Sequence, residues 1–130
     1  MANPNIVAVT SILGGNAGWN LSATATDTLM TVGSNVVLKV NRVTVANVDG
    51  TNAADVSLFV DGMGSGTTGV TVTGPLATCR LANLMNVPQG DSLVLIDKPI
   101  YLMEADVLRG GASAASVLEL FASYEVINDA

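Results

Sequence analysis

The stretch formed by residues 92–108, SLVLIDKPIYLMEADVL, places side chains that could do chemistry within a largely apolar run. It contains the carboxylates of Asp97, Glu104 and Asp106 and the phenol of Tyr101. Two carboxylates roughly 5–10 Å apart in a cleft are the acid and base of a glycosidase. The order of these residues along the chain does not fix such a distance, and carboxylates at strand ends are also ordinary turn residues.

The absence of one residue type narrows the chemistry further. The chain contains no histidine and one cysteine, Cys79. Ser-His-Asp and Cys-His arrangements and histidine-based metal sites are therefore excluded. A lone cysteine forms no internal disulfide, and we expect Cys79 to be a small buried apolar residue. No residue pattern indicates a reaction, so we predict a protein that is not an enzyme and needs no cofactor.

Calcium binding is a weaker hypothesis for the carboxylates in the loops. The candidates are Asp49, Asp55, Glu104 and Asp106. Calcium prefers oxygen ligands, but the spacing of an EF-hand is absent, and tight turns use the same residue types for backbone reasons. The sequence leaves a calcium site and plain turns as alternatives.

Two further features could bind ligands. The segment 62–69, GMGSGTTG, is rich in glycine but lacks the Gly-Lys-Ser/Thr ending of a phosphate-binding loop, so we expect a glycine-rich hairpin tip. Trp19 and Tyr101 could stack against a sugar ring. Each lies in an alternating segment where an aromatic side chain usually packs into the core.

The length of the chain indicates a single domain spanning residues 1–130. Hydrophobic residues make up 49% of the chain and charged residues 12%, and the net charge is -6. The few cations are scattered, so no basic stripe is available for nucleic acid. No apolar run approaches the roughly 20 residues that span a membrane, and the N-terminus lacks the cationic start of a signal peptide. We expect a soluble protein that is not secreted.

The elements that must position these side chains are strands. Apolar and polar residues alternate along almost every segment, and turn residues recur about every ten positions. We predict an all-β, single-domain antiparallel β-sandwich or jelly roll with about eight to ten short strands. A first strand is expected over NIVAVTSIL and should end at Gly14–Gly15. The last strand, VLELFASYEVI, should place on one face Leu118, Leu120, Ala122, Tyr124 and Val126.

The alternation changes phase within VVLKVNRVTVANV. Leu38 and Val40 share one parity, whereas Val43 and Val45 have the other. A shift by one residue would turn every later side chain to the opposite face of the sheet. We therefore predict a β-bulge or strong bend near residues 41–42.

Two hairpins are predicted from turn residues. The segment DGTNAAD, residues 49–55, should connect the bulged strand to DVSLFVDG as a hairpin. Residues 97–99, Asp-Lys-Pro, should join the strands DSLVLID and PIYLME in the same way. Both faces of the second pair are apolar, and we expect the additional apolar face to pack beneath the other sheet or against another copy of the chain.

Three strings carry a family resemblance: VNRVTVANVDGTNAADVSLFV, VPQGDSLVLIDKPIYLMEADVLR and LELFASYEVI. Together they resemble a group of small virion structural proteins of tailed bacteriophages, especially phages of cyanobacteria. The resemblance covers most of residues 36–127. It departs at Ala105, where the family usually has a glycine able to adopt a positive φ, and in the longer loop at 63–69.

The resemblance implies a role in virion assembly and transfers no catalytic residues. The expected protein is a capsid decoration, or cement, protein that oligomerises as a trimer on the major capsid lattice. It would be made in the host cytoplasm and located on the capsid surface. A neck, tail or baseplate component is the first alternative, and a carbohydrate- or receptor-binding module that uses the 62–69 loop is the second.

The expected partners are further copies of the chain and the major capsid protein or other virion proteins, without direct contact to nucleic acid or membrane. The interface candidates are Ile6, Val7, Tyr101, Leu102 and Met103. Residues 1–10 could form an arm that adds a strand to a neighbour, or they could be an ordinary first strand.

Overall fold

The chain folds into two antiparallel sheets that pack face to face. The structure is a computed structural model and describes residues 11–23, 27–62, 72–74 and 76–128. Its nine strands are β1 (Ser11–Asn20), β2 (Asp27–Thr31), β3 (Val36–Asn47), β4 (Ala54–Asp61), β5 (Cys79–Val87), β6 (Ser92–Ile96), β7 (Ile100–Leu102), β8 (Val107–Ala112) and β9 (Leu118–Asn128). The predicted all-β sandwich is confirmed. No described segment is a helix long and apolar enough to cross a membrane.

The strand order places β3 and β4 near the centre. Sheet A has the order β1-β9-β3-β6, and β7 also pairs with β3. Sheet B has the order β2-β8-β4-β5. Since β5 lies next to β6, these two strands form one side of the sandwich and β1 lies on the opposite side of sheet A.

Valine and leucine at alternate positions fill the space between the sheets. The largest fully buried side chains are Leu58, Leu108, Leu118, Leu120, Val40, Val43, Val45, Val56 and Val87. Alternation points every second side chain of a strand to the same face, and β-branched residues suit a pleated buried surface. The predicted face of β9 is confirmed, because Leu118, Leu120 and Ala122 are buried, and Tyr124 and Val126 are partly buried against the same core.

The predicted bulge in β3 is also confirmed. The register of β3 against β9 shifts between Val40 and Arg42, so that Asn41 is the additional residue. The shift returns Val43 to the core face, and Val40 and Val43 are both fully buried. The Asn41 side chain donates from Nδ2 to Glu125 Oε1 at 3.3 Å.

The predicted hairpin between β3 and β4 is wrong. The strands belong to different sheets, and residues 48–53 carry the chain across the sandwich. Asp, Gly and Asn satisfy the backbone of a tight turn whether the chain returns in the same sheet or crosses to the other sheet. Both strands have a strongly apolar face, so their patterns do not distinguish these two connections.

The second predicted hairpin is wrong as well. β6 and β7 follow one another along the same side of β3, with Ile96 opposite Val43 and Ile100 opposite Val40. They form one edge strand interrupted by residues 97–99, which lie opposite the bulge in β3. Proline is tolerated there because an edge strand does not need every N–H for a ladder.

The glycines expected to end the first strand lie inside β1. Gly14 pairs with Glu125 and Gly15 with Tyr124 in an unbroken ladder. A Cβ on Gly15 would lie 2.7 Å from the Tyr124 ring, so the absent side chain leaves room for that ring. Residues 1–10, including Ile6 and Val7, and the glycine-rich segment beyond Gly62 lie outside the described residues.

Candidate interaction surface

The four carboxylates considered for calcium lie at opposite ends of the sandwich. Asp49 follows the end of β3, and Asp55 lies at the start of β4 beside that end. Glu104 and Asp106 follow β7, which pairs with the first half of β3. The part of β3 that separates these two ends of the sandwich spans about 30 Å, at roughly 3.3 Å per residue. The structure therefore does not bring the four candidates together.

At the first end, the carboxylates satisfy turns. Asp49 Oδ1 accepts hydrogen bonds from the backbone N–H groups of Thr51 at 2.8 Å and Asn52 at 3.3 Å. The bond from Thr51 is the main reason that the pKa of Asp49 lies below its ordinary value. Asp55 Oδ1 accepts from Asn86 Nδ2 at 3.1 Å. These contacts are those of ordinary turn residues, which was the alternative to a calcium site.

At the second end, Asp106 holds the turn between β7 and β8. Its side chain is buried, and Oδ2 accepts from the Met103 N–H at 2.9 Å. Burial raises the pKa of Asp106 above its ordinary value because it disfavours the charged form. Glu104 Oε2 accepts from the Asn35 N–H at 3.2 Å. Within the described ranges, no group of three or more His, Cys, Asp or Glu side chains could hold a metal ion.

This burial predicts a pH-dependent effect of Asp106→Asn. Because folding raises the pKa of this carboxyl, protonation of Asp106 stabilises the folded protein. That stabilisation is complete below the ordinary pKa of 3.8 and is lost as the pH rises through the pKa of the folded state. The amide can still accept from the Met103 N–H without a buried charge. We expect the variant to gain unfolding free energy relative to wild type between about pH 3 and pH 7. Urea titrations across that range measure the difference, and parallel pH curves for the two proteins would contradict it.

The turn residue Ala105 has a left-handed backbone. Its φ is 72°, and its N–H donates to the Val32 carbonyl at 3.1 Å. An L side chain in this region costs roughly 1–2 kcal/mol, which glycine avoids. Ala105, where the resemblance described above would have a glycine, is therefore a position of backbone strain.

We expect Ala105→Gly to stabilise the protein by about 0.5–1 kcal/mol, after the greater freedom of glycine in the unfolded chain is subtracted. Chemical denaturation measures this gain. The matched control is Ala53→Gly, at an exposed position without a positive φ, where the same change should be neutral or destabilising. A loss of stability in Ala105→Gly similar to that of the control would show that the turn is not strained.

The three interface candidates around β7 have different environments. Leu102 is 2% exposed and lies in the core of its own subunit, so it cannot contact a partner while the subunit is folded. Tyr101 is 54% exposed, and Met103 is half-buried. Of the predicted second apolar face, Tyr101 and Val94 remain at the surface.

The aromatic residues considered for sugar binding are not brought together. Trp19 lies on β1 and packs against the core, whereas Tyr101 lies on β7, beyond β9 and β3. A groove of about 400 Å³ does lie beside Phe121 on sheet A, and its lining includes the half-buried Trp19 as well as Thr44 and Glu119. One exposed phenylalanine ring and one carboxylate do not define a ligand.

A surface that the sequence did not reveal lies on β5, one of the two edge strands of sheet B. Leu81, Leu84 and Met85 are 41%, 63% and 41% exposed, and we call these three side chains the β5 surface. Cys79, at the start of the same strand, is half-buried where the sequence predicted a buried residue. The string LANLM does not alternate, so its pattern gave no indication that these residues lie at an edge.

Leu84 is the most unusual residue of the β5 surface. Its φ is 51°, a left-handed conformation that is a genuine outlier for a bulky side chain. Its N–H donates to Oγ of the buried Ser57 at 3.1 Å, and the register of β4 against β5 shifts on both sides of Leu58. The sheet thus holds this backbone in a strained conformation while the leucine remains largely exposed.

Comparisons with known proteins add little to this description. No protein-family model matches the chain, and no curated protein matches it. A solved structure described as "Bacillus endospore appendages form a novel family of disulfide-linked pili" is similar over 92% of this chain and 90% of its own, with a TM-score of 0.44 and 15% identity. A similarity at this level carries no argument about the role of the chain.

Proposed function

We propose that this chain is a non-enzymatic structural protein of a virus particle, and that it decorates the capsid by binding the shell through the β5 surface. The observation that carries the proposal is Leu84, a strained leucine that is 63% exposed. The three strings that resemble phage virion proteins support the same role.

The chemistry of the β5 surface suits contact with another protein. Neighbouring exposed apolar side chains within a polar surface mark interaction sites, and methionine is enriched in such interfaces. Backbone strain that persists in a folded protein concentrates at functional positions. Leu84 shows both properties, because the surrounding sheet fixes its backbone while the residue remains 63% exposed.

The bulges in β5 also determine how a partner protein could bind this strand. A regular edge strand offers a row of backbone groups to which any other strand can pair, and bulges disrupt that row. β5 is irregular against β4 at two places. We therefore expect a partner to recognise the side chains of the β5 surface and not to extend sheet B.

The test uses purified protein added to particles that lack it, followed by counting of the bound copies. The variant Leu84→Asn removes the apolar side chain and places at this position a residue that tolerates a left-handed backbone. Full burial of a leucine stabilises by roughly 1.5–3 kcal/mol, so binding should weaken by about 10- to 100-fold while the protein stays as stable as wild type.

Phe121→Ser is the matched control. Phe121 is an exposed apolar residue, 49% accessible, but it lies on β9 in the other sheet. This control should bind as wild type does. Equal binding by Leu84→Asn and wild type would contradict the proposed role of the β5 surface.

A further inference from the structure

The edge strands of the described sheets differ in how well they are protected against pairing with another strand. β2 has five residues, begins with Asp27 and has a register shift against β8. β5 is bulged, and the edge made by β6 and β7 is interrupted by Asp97, Lys98 and Pro99. Short length, bulges, charges and proline are the devices by which proteins prevent edge-to-edge association.

β1 has none of these devices. It is ten residues long, SILGGNAGWN, and contains neither charge nor proline. Each residue pairs with β9 in one continuous register, and no other described strand pairs with β1. Ile12 and Leu13 are each 60% exposed near its start. A long, regular and uncharged edge of this kind is a template for another strand.

The direction of the backbone groups along β1 follows from one hydrogen bond. The Leu21 N–H donates to the Leu118 carbonyl at 2.9 Å, directly after the last pair of the ladder. In an antiparallel ladder, successive residues alternate between pointing their backbone groups to the partner strand and away from it. The residues that point away from β9 are therefore Ile12, Gly14, Asn16, Gly18 and Asn20.

We infer that β1 is the surface through which two copies of this chain pair, antiparallel about a two-fold axis at Asn16, so that sheet A continues from one copy into the other. An isologous contact places the same residues on both sides, and β1 is the one unprotected edge among the described strands. The partner is therefore a second β1.

The register about Asn16 satisfies both the backbone and the side chains. It sets Ile12 opposite Asn20 and Gly14 opposite Gly18, so all of the outward backbone groups meet as hydrogen-bonded pairs. Residues directly opposite one another share a face, which places the exposed Leu13 against Trp19 of the second copy. Registers centred on Gly14 or Gly18 shorten the paired segment.

This inference does not depend on the proposed capsid role. The resemblance to virion proteins implies a trimer, whereas two-fold pairing through β1 gives a dimer. β1 and β5 lie on opposite sides of the sandwich, so pairing through β1 leaves the β5 surface open. A failure of either proposal leaves the other standing.

The experiment measures the mass of the full chain in solution by sedimentation equilibrium. Wild type should have twice the chain mass of 13.2 kDa. Asn16→Lys and Asn16→Asp each place like charges opposite one another at the axis, and each should raise the dissociation constant by about tenfold or more. Mixing the two variants should restore the dimer, because opposite charges then meet.

Two controls make the result specific. Asn83→Lys adds the same charge to an exposed position of the β5 edge and should remain dimeric. A chain without residues 2–10 should also remain dimeric. The far-UV circular dichroism spectra of the Asn16 variants are expected to match wild type, since Asn16 is exposed and its substitution should leave each subunit folded.

The inference is overturned if wild type is monomeric at the highest concentration reached or forms a trimer, or if the charged Asn16 variants associate as wild type does. A mixture of the two variants that stays monomeric would also overturn it. Loss of the dimer in the chain without residues 2–10 would assign the contact to that segment and overturn the pairing of β1 with β1.

Discussion

Leu102→Asp is expected to abolish folding. Leu102 is 2% exposed and lies opposite Leu38 in the core, within a strand that gave no indication from sequence of which face was buried. Loss of a buried leucine side chain costs roughly 2–5 kcal/mol, and an unpaired carboxylate in the same place adds a desolvation cost. The sum approaches the whole stability of a small domain, roughly 5–15 kcal/mol. Circular dichroism and the soluble yield on expression measure the outcome.

Tyr101→Asp is the control on the adjacent residue. Tyr101 is 54% exposed and points to the other face of the same strand. The variant should fold with a change in unfolding free energy within about 1 kcal/mol of wild type, because surface substitutions rarely exceed that value. A folded Leu102→Asp, or an unfolded Tyr101→Asp, would show that the two faces of β7 are assigned the wrong way round.

Asn47→Ala is expected to cost about 2–4 kcal/mol, because it removes a buried amide that connects the two sheets. The Asn47 Nδ2 group donates to the carbonyls of Asn52 and Val87, each at 3.0 Å, and Oδ1 accepts from the Asp49 N–H at 2.8 Å. Asn47 belongs to sheet A and Val87 to sheet B. Without the amide, two carbonyls and an N–H lose a protein partner near the point where the chain crosses between sheets.

Denaturant unfolding of Asn47→Ala and of the control Asn83→Ala measures this cost. Asn83 is an exposed asparagine on β5, so its loss should change the unfolding free energy by less than about 0.5 kcal/mol. A similar small effect at Asn47 would mean that water replaces the side chain at little cost and that the amide does not fix the crossing.

Local patterns predicted which side chains of β3 and β9 face the core, because side-chain parity is a direct consequence of strand geometry. The bulge at Asn41 was predictable, since the hydrophobic residues on either side have opposite parity and a regular strand cannot bury both sets. The inner face of β9 was predictable for the same reason. Parity does not report which strands pair with each other.

The two wrongly predicted hairpins and the missed β5 surface have the same physical cause, because side-chain parity does not report which strands are neighbours. The segment 49–55 has turn residues that suit a hairpin and a crossing equally, and residues 97–99 mark an interruption of one strand as well as a turn between two. Leu84 has no sequence signal at all, because a leucine is not expected at positive φ and an edge strand is defined only by its neighbours. The strain at Ala105 was indicated only through the resemblance to phage proteins, in which this position is usually glycine.

The proposed role assigns different tasks to different edges. β1 is regular and uncharged and would join copies of the chain, whereas β5 is bulged and would present side chains to the shell. One edge therefore offers a backbone ladder and the other an apolar contact. Both surfaces lie on strands whose edge position emerged only from the sheet order.

The measurement that tests the proposed capsid role most directly is the copy number of this chain in purified virus particles whose genome carries its gene. Quantitative mass spectrometry against the major capsid protein gives that number. A decoration protein should be present in hundreds of copies, because it follows the repeating shell, whereas ring assemblies of the neck, tail or baseplate hold about six to a few tens. A count in the hundreds is the predicted result. A count of a few tens or fewer, or absence from the particle, would contradict the account.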